Sequence, residues 1–552
     1  MHLLFSFLLF FTLHAPAESV ESAEAETEYN ETPSLVVGIM VDQMRPDYIA
    51  RFWNHLGENG FKRLVNEGFT FTNAQFNYMP TSTGPGHASV WSGTTPSGHG
   101  GIGNTWHVRE LDRSINVIEV PGYEAVGGDE NSSGNKGPGN LLTTTVGDEL
   151  RLHTNNRAKV VGISRKDRGA ILPAGHTGDA YWYDGNTGNY ITSTFYMDAL
   201  PGWLVEFNER NLAQEYLSQP WETLYPIETY IESIEDNNAY EGLIRGEEAP
   251  VFPHDLPRLV EEHGHGPDLL SSTPFSDKHL KELAIAAIEG EKLGQRDVTD
   301  ILAISFSVMD AVGHRYGGAS KEAQDAFIRL DQYLGELFDY LDEKIGMDQV
   351  LVFLTSDHGA IHVPEYLADQ RIPSVRINFS AENEQKLRQY AESTYGQDFI
   401  INAGSYELFF DRDYIRSQNL GLGEVQRDIA RFVTGFEGIA GAVDAETLAY
   451  SDFSRDILKR IQNGYNTVRS GDVKVWLEPN RYPSGGSTGT GHGSPWGYDT
   501  HAPMHWLGWK VPAGTSAYPT TVTDFASTVA TFLKSPFPSG NTGKPLNDFF
   551  HD

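Results

Sequence analysis

The stretch SLVVGIMV (residues 34–41) is apolar, rich in β-branched residues and free of polar–apolar alternation. Three further runs share these properties: AKVVGIS (158–164), DILAISFSV (300–308) and QVLVFLTS (349–356). Short apolar runs of this kind, separated by helical patterns, are typical of strands that are buried on both faces of a parallel sheet. The sequence therefore predicts an α/β fold in which a mostly parallel central sheet is flanked by helices.

A long helix is predicted between the third and fourth runs. In KEAQDAFIRLDQYLGELFDYLDEKIG (321–346), apolar residues recur at spacings of three and four, and Gly346 is a stop signal. Two stretches lack such a rhythm, about 200–275 and about 366–480. Because loops at the edge of a sheet can lengthen at little entropic cost, we interpret both as insertions that cap or flank the sheet. They would belong to one catalytic domain spanning residues 34–552.

The first 33 residues are predicted to lie outside this domain. An apolar run from Leu3 to Leu13 is too short to span a bilayer, and the small residues Ala15 and Ala17 follow it. This pattern indicates a secretory signal peptide over residues 1–17 and a periplasmic or secreted protein. The acidic segment 18–33 is predicted to be a disordered linker.

Composition limits the partners and the metal chemistry. The chain has 75 acidic and 41 basic residues, for a net charge of −34, which disfavours nucleic acids and anionic membranes as partners. We expect a monomer that acts on small molecules. There is no cysteine, so any tight metal site must use histidine, aspartate and glutamate. A small anionic substrate would need concentrated local positive charge, which a metal cluster could supply.

Charged and imidazole side chains follow all four apolar runs. They are Asp42 after the first run, Lys166 and Arg168 after the second, Asp310 and His314 after the third, and Asp357 and His358 after the fourth. Open parallel sheets place their chemistry just past the carboxyl ends of the strands, and carboxylate–imidazole sets bind zinc where thiolates are absent. Each pair alone is more typical of a strand-end carboxylate that caps the next helix. Their joint placement favours a metal cluster.

A further histidine ligand is expected from the glycine-rich segment GGSTGTGHGSPWGYDTHAP (485–503). His492 and His501 both lie near glycine turns that would let the backbone approach a metal. Either of them could instead be a histidine of a surface loop.

The segment MPTSTGPGHASVWSGTTPSGHGGIGNTW (79–106) contains a candidate nucleophile. Thr83 precedes a Gly-Pro-Gly turn and a helical pattern, and a helix N-terminus favours an anion because its N–H groups are unpaired. The alternative is that Thr83 is an ordinary N-cap. A hydroxyl attacks well only when a metal or a base takes its proton, and the Asp and His pairs would supply the metal.

The chain resembles the alkaline phosphatase superfamily, and most closely its PafA-type periplasmic phosphomonoesterases, which use a threonine nucleophile. The resemblance runs from about residue 34 to the C-terminus. Its most specific parts are VDQMRPDY (41–48), PTSTGPGHASVWSGTTPSGHGGIGN (80–104), SRKDRGAILPAGH (164–176), MDAVGH (309–314), TSDHG (355–359) and HGSPWGYDTHAP (492–503).

The resemblance implies a site for two Zn²⁺ ions. By similarity, Asp310, His314 and His492 would bind one ion, and Asp42, Asp357 and His358 the other, with the Thr83 oxygen beside the second. Thr83 would attack the phosphorus of a phosphate monoester, giving a phosphothreonine whose hydrolysis releases inorganic phosphate. Asn104, Lys166 and Arg168 would hold the phosphate oxygens. The alternatives are a phosphodiesterase of the same superfamily and a protein that binds metal and phosphate without turnover.

Overall fold

The four apolar runs form adjacent parallel strands of one sheet. In the computed structural model, which describes residues 31–377, 381–404 and 406–550, these strands are Leu35–Val41, Val160–Ser164, Asp300–Phe306 and Val350–Thr355. The first lies between the third and the fourth, and the second pairs with the other side of the third. All four are buried along their whole length. The predicted α/β fold with a mostly parallel central sheet is confirmed.

The sheet continues on both sides of these strands. Within the described residues it has ten strands, in the order Gly514–Ser516, Phe69–Phe71, Met504–Gly508, Val350–Thr355, Leu35–Val41, Asp300–Phe306, Val160–Ser164, Asp179–Tyr183, Tyr190–Ser193 and Ala125–Val126. Antiparallel pairing begins at Met504–Gly508 on one side and at Tyr190–Ser193 on the other. The parallel centre therefore brings the carboxyl ends of the four predicted strands to one edge.

Apolar cores cover both faces of the sheet. Val37 and Ile39 point into one core, and Val36 and Met40 point into the other, as the two-residue period of a strand requires. This two-sided burial is the physical reason why the runs show no polar–apolar alternation.

Helices form both outer layers. They are Asp47–Arg51, Phe61–Asn66, Thr83–Ser92, Pro96–His99, Val146–His153, Asp167–Ala174, Phe275–Glu291, Val308–Tyr316, Lys321–Lys344, Pro364–Asp369, Gly497–Thr500 and Asp524–Phe532. The predicted long helix is Lys321–Lys344, in which the Ser320 side chain accepts a bond from the N–H of Ala323. Its buried face includes Phe327, Leu330, Leu334, Phe338 and Leu341.

The first stretch predicted as an insertion packs on this long helix. It contains the helices Gly202–Glu209, Leu212–Leu217 and Leu256–His263. The buried Asp325 carboxylate accepts bonds from the Trp221 indole and the Tyr230 hydroxyl, each 2.7 Å long. These charge-assisted bonds fasten the insertion to the central fold.

The second stretch forms a small α/β unit with its own apolar core. Its antiparallel sheet has the strand order Ile400–Ala403, Glu407–Phe410, Val473–Leu477 and Ile439–Asp444. Its helices are Ala381–Tyr395, Arg412–Ser417, Leu422–Val433, Ala445–Tyr450 and Asp456–Asn463. The core includes Leu387, Phe399, Ile429 and Val475.

Short strands and 3₁₀ turns complete the described structure. The strands are Val375–Arg376 with Arg481–Tyr482, Thr105–Val108 with Arg113–Asn116, and Ala74–Gln75 with His501–Ala502 and Thr520–Thr521. The 3₁₀ turns are Trp53–His55, Ile227–Thr229, Pro267–Ser272, Met347–Gln349 and Asn547–Phe549.

The predicted signal peptide (1–17) lies outside the described residues, as does the predicted linker (18–33) up to residue 30. At the end of that linker, the Thr299 hydroxyl donates to the Pro33 carbonyl over 2.6 Å. Among the described helices, none combines the length and the apolar character that a membrane span requires.

Candidate active site

Three strand ends meet at one ammonium group. Lys166 Nζ lies 2.5 Å from Asp42 Oδ2 and 2.6 Å from Asp310 Oδ2, and all three side chains are buried. Although burial and Asp310 oppose it, Lys166 holds the pKa of Asp42 below its usual value. The predicted convergence at this edge of the sheet is therefore a direct contact among residues that are far apart in the sequence.

Three histidines near these carboxylates have the same orientation. The Nδ1 atom of His314 lies 2.7 Å from the Thr490 carbonyl oxygen, and the Nδ1 atom of His492 lies 2.7 Å from that of Thr81. His358 Nδ1 is 3.0 Å from the Gly359 carbonyl oxygen. A carbonyl can only accept, so each Nδ1 carries a proton, and each Nε2 can bind a metal once it is deprotonated. Backbone partners of this kind orient histidines that ligate metals.

The Nε2 atoms of these histidines face carboxylates. The Nε2 atoms of His314 and His492 lie 3.0 and 3.7 Å from Asp310 Oδ1, and His358 Nε2 lies 3.4 Å from Asp42 Oδ1. A carboxylate oxygen that faces an imidazole nitrogen needs a proton or a metal cation between the two atoms. Among the described residues, the buried atoms Asp42 Oδ1, Asp357 Oδ2 and His358 Nε2 have no hydrogen-bond partner. Their chemistry fits a metal ion.

The acids outnumber the local cations. Burial and the nearby Asp42 raise the pKa of Asp357 to about 8. Burial lowers the pKa of His358, but Asp357 and Asp42 outweigh it and raise that pKa to about 9. Three buried carboxylates around one ammonium group therefore favour the uptake of further positive charge.

Two groups of ligand atoms are close enough to hold an ion. One consists of Asp42, Asp357 and His358, and the other of Asp310, His358 and His492; in each, the atoms lie within 4.8 Å of one another. The first is the set that the resemblance implies. The second has His358 where the resemblance places His314, whose Nε2 contacts Asp310 from a more exposed position. The His358 and His492 rings stack with centroids 3.5 Å apart, so the two groups adjoin.

Thr83 is the first residue of the helix Thr83–Ser92 and is buried. The helix packs closely on Asp357, since a Cβ atom at Gly86 would lie 2.3 Å from the Asp357 carbonyl oxygen. The His87 ring bonds the Thr83 carbonyl through Nδ1 and the Ser305 hydroxyl through Nε2, both over 2.8 Å. The start of the helix is thereby held beside the carboxylate–imidazole cluster.

Asn104 is also held at this helix N-terminus. Its Oδ1 accepts a 2.6 Å bond from the N–H of Gly84. With the oxygen committed to the backbone, the amide NH₂ group is the part that can donate to an anion.

Arg168 adds a second positive charge near the Thr83 helix. It lies in the first turn of the helix Asp167–Ala174, its side chain is 21% exposed, and its buried Nε has no hydrogen-bond partner within the described residues. Burial chiefly lowers the pKa of His87, to about 4, and the charges of Lys166 and Arg168 lower it further. Both cations are therefore within electrostatic reach of the start of the Thr83 helix.

The two histidines of the glycine-rich segment separate in space. His492 joins the cluster, whereas His501 Nε2 lies 3.0 Å from the Thr72 carbonyl oxygen at the short strand His501–Ala502. The structure thus brings His492 to the predicted site, but not His501.

Sequence reasoning missed Gln43. Its backbone N–H donates to Asp357 Oδ1 over 3.1 Å, and its side-chain amide donates to Asp310 Oδ1 over 3.0 Å. Gln43 has a φ of 61°, and Gly313 leaves room for its side chain, because a Cβ there would lie 2.0 Å from Gln43 Oε1. The available signal was its position directly after Asp42 at a strand end.

Gly86→Ala is expected to lower both the Tm and the metal content of the protein, because the added methyl group must displace the helix start from Asp357. Overpacking of this kind costs about 1–3 kcal/mol. Thermal unfolding and metal analysis measure the two effects. The control is Gly202→Ala, where the Cβ meets nothing within 4 Å. Unchanged metal content and Tm in Gly86→Ala would contradict the tight contact.

Comparisons with known proteins identify the family. Residues 36–501 match the family described as type I phosphodiesterase / nucleotide pyrophosphatase. The chain is 41% identical to alkaline phosphatase PhoV of Synechococcus elongatus, over 94% of this chain and 92% of that one. It is 39% identical to alkaline phosphatase PafA of Elizabethkingia meningoseptica, over 94% of each chain. A Myroides odoratus protein named calcium-transporting ATPase is 40% identical over 95% of each chain.

The solved structures agree. A crystal structure of alkaline phosphatase PafA superposes with a TM-score of 0.90 at 37% identity, covering 94% of this chain and 99% of that one. Another solved PafA structure is a variant with one threonine, one asparagine, one lysine and one arginine substituted. These four positions have the same separations along the chain as Thr83, Asn104, Lys166 and Arg168. The chain belongs to the alkaline phosphatase superfamily and, within it, to the group of alkaline phosphatases that includes PafA and PhoV.

Proposed function

We propose that this protein is a zinc-dependent phosphomonoesterase of the periplasm or the cell exterior, and that it acts through a covalent phosphothreonine at Thr83. The observation that carries the proposal is the position of Thr83, at a helix N-terminus packed on a carboxylate–imidazole cluster with Lys166 at its centre. A hydroxyl at a helix N-terminus beside possible metal ligands can be activated by a bound metal and can carry an anionic group.

The residues that would hold zinc are Asp42, Asp357 and His358 for one ion, and Asp310, His314 and His492 for the other. Imidazole and carboxylate ligands without thiolate suit zinc in an exported protein. The stacked His358 and His492 rings place the two proposed ligand sets next to each other. When bound, a pair of such ions supplies Lewis acidity at the attacking and leaving oxygens of an in-line displacement.

Thr83 would carry out the bond exchange. Its Oγ1 gives up its proton and forms a bond to phosphorus while the ester P–O bond breaks, and the leaving oxygen takes up a proton to depart as an alcohol. A water oxygen then attacks phosphorus, the Thr83 Oγ1–P bond breaks, and inorganic phosphate is released. The helix dipole at Thr83 and the Asn104 amide would stabilise the negative phosphate oxygens.

Lys166 and Arg168 are the reason to propose a monoester. A monoester dianion carries one more negative charge than a diester, and two cations near the start of the Thr83 helix match that charge. The rest of the chain is strongly acidic, with a net charge of −34, so local cations are needed to retain such an anion. The same acidity supports the proposal of a monomer that binds neither nucleic acid nor anionic membranes.

Turnover of an aryl phosphate monoester and of its diester tests this proposal. We expect the wild-type enzyme to hydrolyse the monoester faster. Combined Lys166→Ala and Arg168→Ala substitutions should lower kcat/KM for the monoester by about 10²-fold or more, with a much smaller loss for the diester, because the diester lacks the second charge. Steady-state kinetics on both substrates measure the difference.

The matched control for this prediction is the pair Arg416→Ala and Lys510→Ala, which also removes one arginine and one lysine, but from exposed positions. Faster diester hydrolysis by the wild type would favour a phosphodiesterase, the activity in the name of the matched family. Parallel losses on both substrates would contradict the role of Lys166 and Arg168.

A further inference from the structure

A cavity of about 250 Å³ lies between the central fold and the second predicted insertion. The central fold contributes Pro80, Gly103 and Thr105 to its wall, and the insertion contributes Tyr406. Gly103 and Thr105 are the chain neighbours of Asn104, so the cavity borders the loop that carries a proposed donor to the phosphate oxygens. We call this cavity the side cavity.

The side cavity also lies next to the segment that carries His492. Tyr406 packs on the following residue, Gly493, since a Cβ atom there would be 3.0 Å from the Tyr406 hydroxyl oxygen. From the opposite wall, Pro80 leads into Thr81, whose carbonyl oxygen lies 2.7 Å from His492 Nδ1. The side cavity therefore borders a proposed zinc ligand as well as the phosphate-binding loop.

The walls of the side cavity carry several aromatic rings. They are those of Trp106, His107, Tyr406 and Phe409. The buried Nε2 of His107 has no hydrogen-bond partner among the described residues, although the Asp112 carboxylate lies 3.8 Å away. Aromatic rings pack well against other planar groups, and the imidazole nitrogen can bond a polar atom on such a group.

The charged side chains in the wall of the side cavity compensate each other. Lys474 and Glu407 both line the cavity and form an ion pair. Their charges cancel, so the cavity does not attract a second anionic group in the way that Lys166 and Arg168 would attract the phosphoryl group. An uncharged group is the better match.

We propose that the side cavity binds an uncharged aromatic group on the leaving alcohol, so that phosphate monoesters of aromatic alcohols are the preferred substrates. This inference rests on the proposed phosphatase function. The Thr83 oxygen adjoins the other proposed ligand set, so we assign the leaving oxygen to the side of His492, which the cavity borders. A cavity of this size is below the usual range of small-molecule sites, which suits one part of a substrate better than a whole ligand.

Two pairs of compounds test the side cavity. Phenethyl phosphate and ethyl phosphate have similarly basic leaving alcohols, so the ratio of their kcat/KM values reports the contacts of the ring. We expect the wild type to prefer phenethyl phosphate by about 10-fold. Phenylpropylphosphonate and propylphosphonate are analogues without an ester bond, and titration calorimetry of the metal-loaded protein should show a similar ratio between their Kd values.

Tyr406→Ala should lower both ratios by at least about three-fold, because it removes one ring from the wall. Tyr518→Ala, which removes an exposed tyrosine, is the matched control and should leave both ratios unchanged. If Tyr406→Ala does not fold, Ser114→Phe provides the same test. Ser114 lines the side cavity from an exposed position on the strand Arg113–Asn116, and a phenylalanine there suits a strand, fills the cavity and should lower both ratios.

Ratios near 1 for the wild type would overturn the side cavity as an aromatic subsite, and so would wild-type ratios in the folded Tyr406→Ala variant. The phosphonate measurement separates this inference from the phosphatase proposal because it needs no turnover. Absence of monoester hydrolysis together with a retained preference for phenylpropylphosphonate would contradict the phosphatase function and support the side cavity.

Discussion

Replacing Thr83 with alanine is expected to lower kcat/KM for an aryl phosphate monoester by at least about 10³-fold, because the proposed covalent step has no other attacking atom. Thr83 is buried at the start of its helix, so loss of its hydroxyl leaves the Gly86–Asp357 packing in place. Steady-state kinetics measure the loss. Acid quenching of the wild type during turnover, followed by peptide mass analysis, should locate phosphate on Thr83.

Ser82→Ala is the matched control for Thr83→Ala. Ser82 is the N-cap residue of the same helix, and its hydroxyl is buried without a hydrogen-bond partner within the described structure. Its removal should leave turnover within a few-fold of wild type, whereas Thr83→Ser should retain a nucleophile and activity well above that of Thr83→Ala. Full activity of Thr83→Ala, or phosphate on another residue, would contradict the assignment of Thr83.

Asp310→Asn is expected to remove one of the two proposed zinc ions and to lower kcat/KM by about 10³-fold or more. Asp310 lies within 4 Å of Lys166, His314 and His492. Loss of its charge removes the carboxylate from the proposed ligand set of Asp310, His314 and His492. The metal content should fall from two ions per chain towards one. A chelator should abolish turnover by the wild type, and added zinc should restore it.

Asp331→Asn serves as the control for Asp310→Asn. Asp331 is also buried, but it accepts bonds from the N–H groups of Gly57 and Phe61, away from the predicted ligands. This variant is expected to lose stability and to keep two zinc ions per chain. Full turnover by metal-free wild type, or unchanged metal content in Asp310→Asn, would rule out the proposed two-zinc site.

Local sequence patterns predicted the framework of the fold well. The apolar runs became strands within one or two residues of their predicted ends, and the helix predicted after Ser320 runs from Lys321 to Lys344. These elements depend on burial and periodicity, which neighbouring residues specify. The internal structure of the second insertion was not predicted, because its strands pair across long intervening segments.

The sequence predicted which residues belong to the candidate site more completely than it predicted the contacts among them. Asp42, Lys166, Asp310 and Asp357 were expected to converge because they follow parallel strands, and the structure brings them together. The choice between His492 and His501 could not be made from residue spacing, since both lie near glycine turns. Which of the two histidines joins the site depends on which part of the loop backbone passes the carboxyl ends of the strands.

The sequence by itself determined the fold class and the edge of the sheet at which the candidate residues gather, because periodicity and strand-end position are local properties. It also pointed to Thr83 as the candidate nucleophile, through its place before a helical pattern. Only the tertiary structure decided that Lys166 bridges Asp42 and Asp310, that Gln43 bonds two predicted ligands, and that Tyr406 packs on Gly493. Those contacts join distant segments. Their geometry follows from how the strands, helices and insertions pack, and packing is a property of the whole chain.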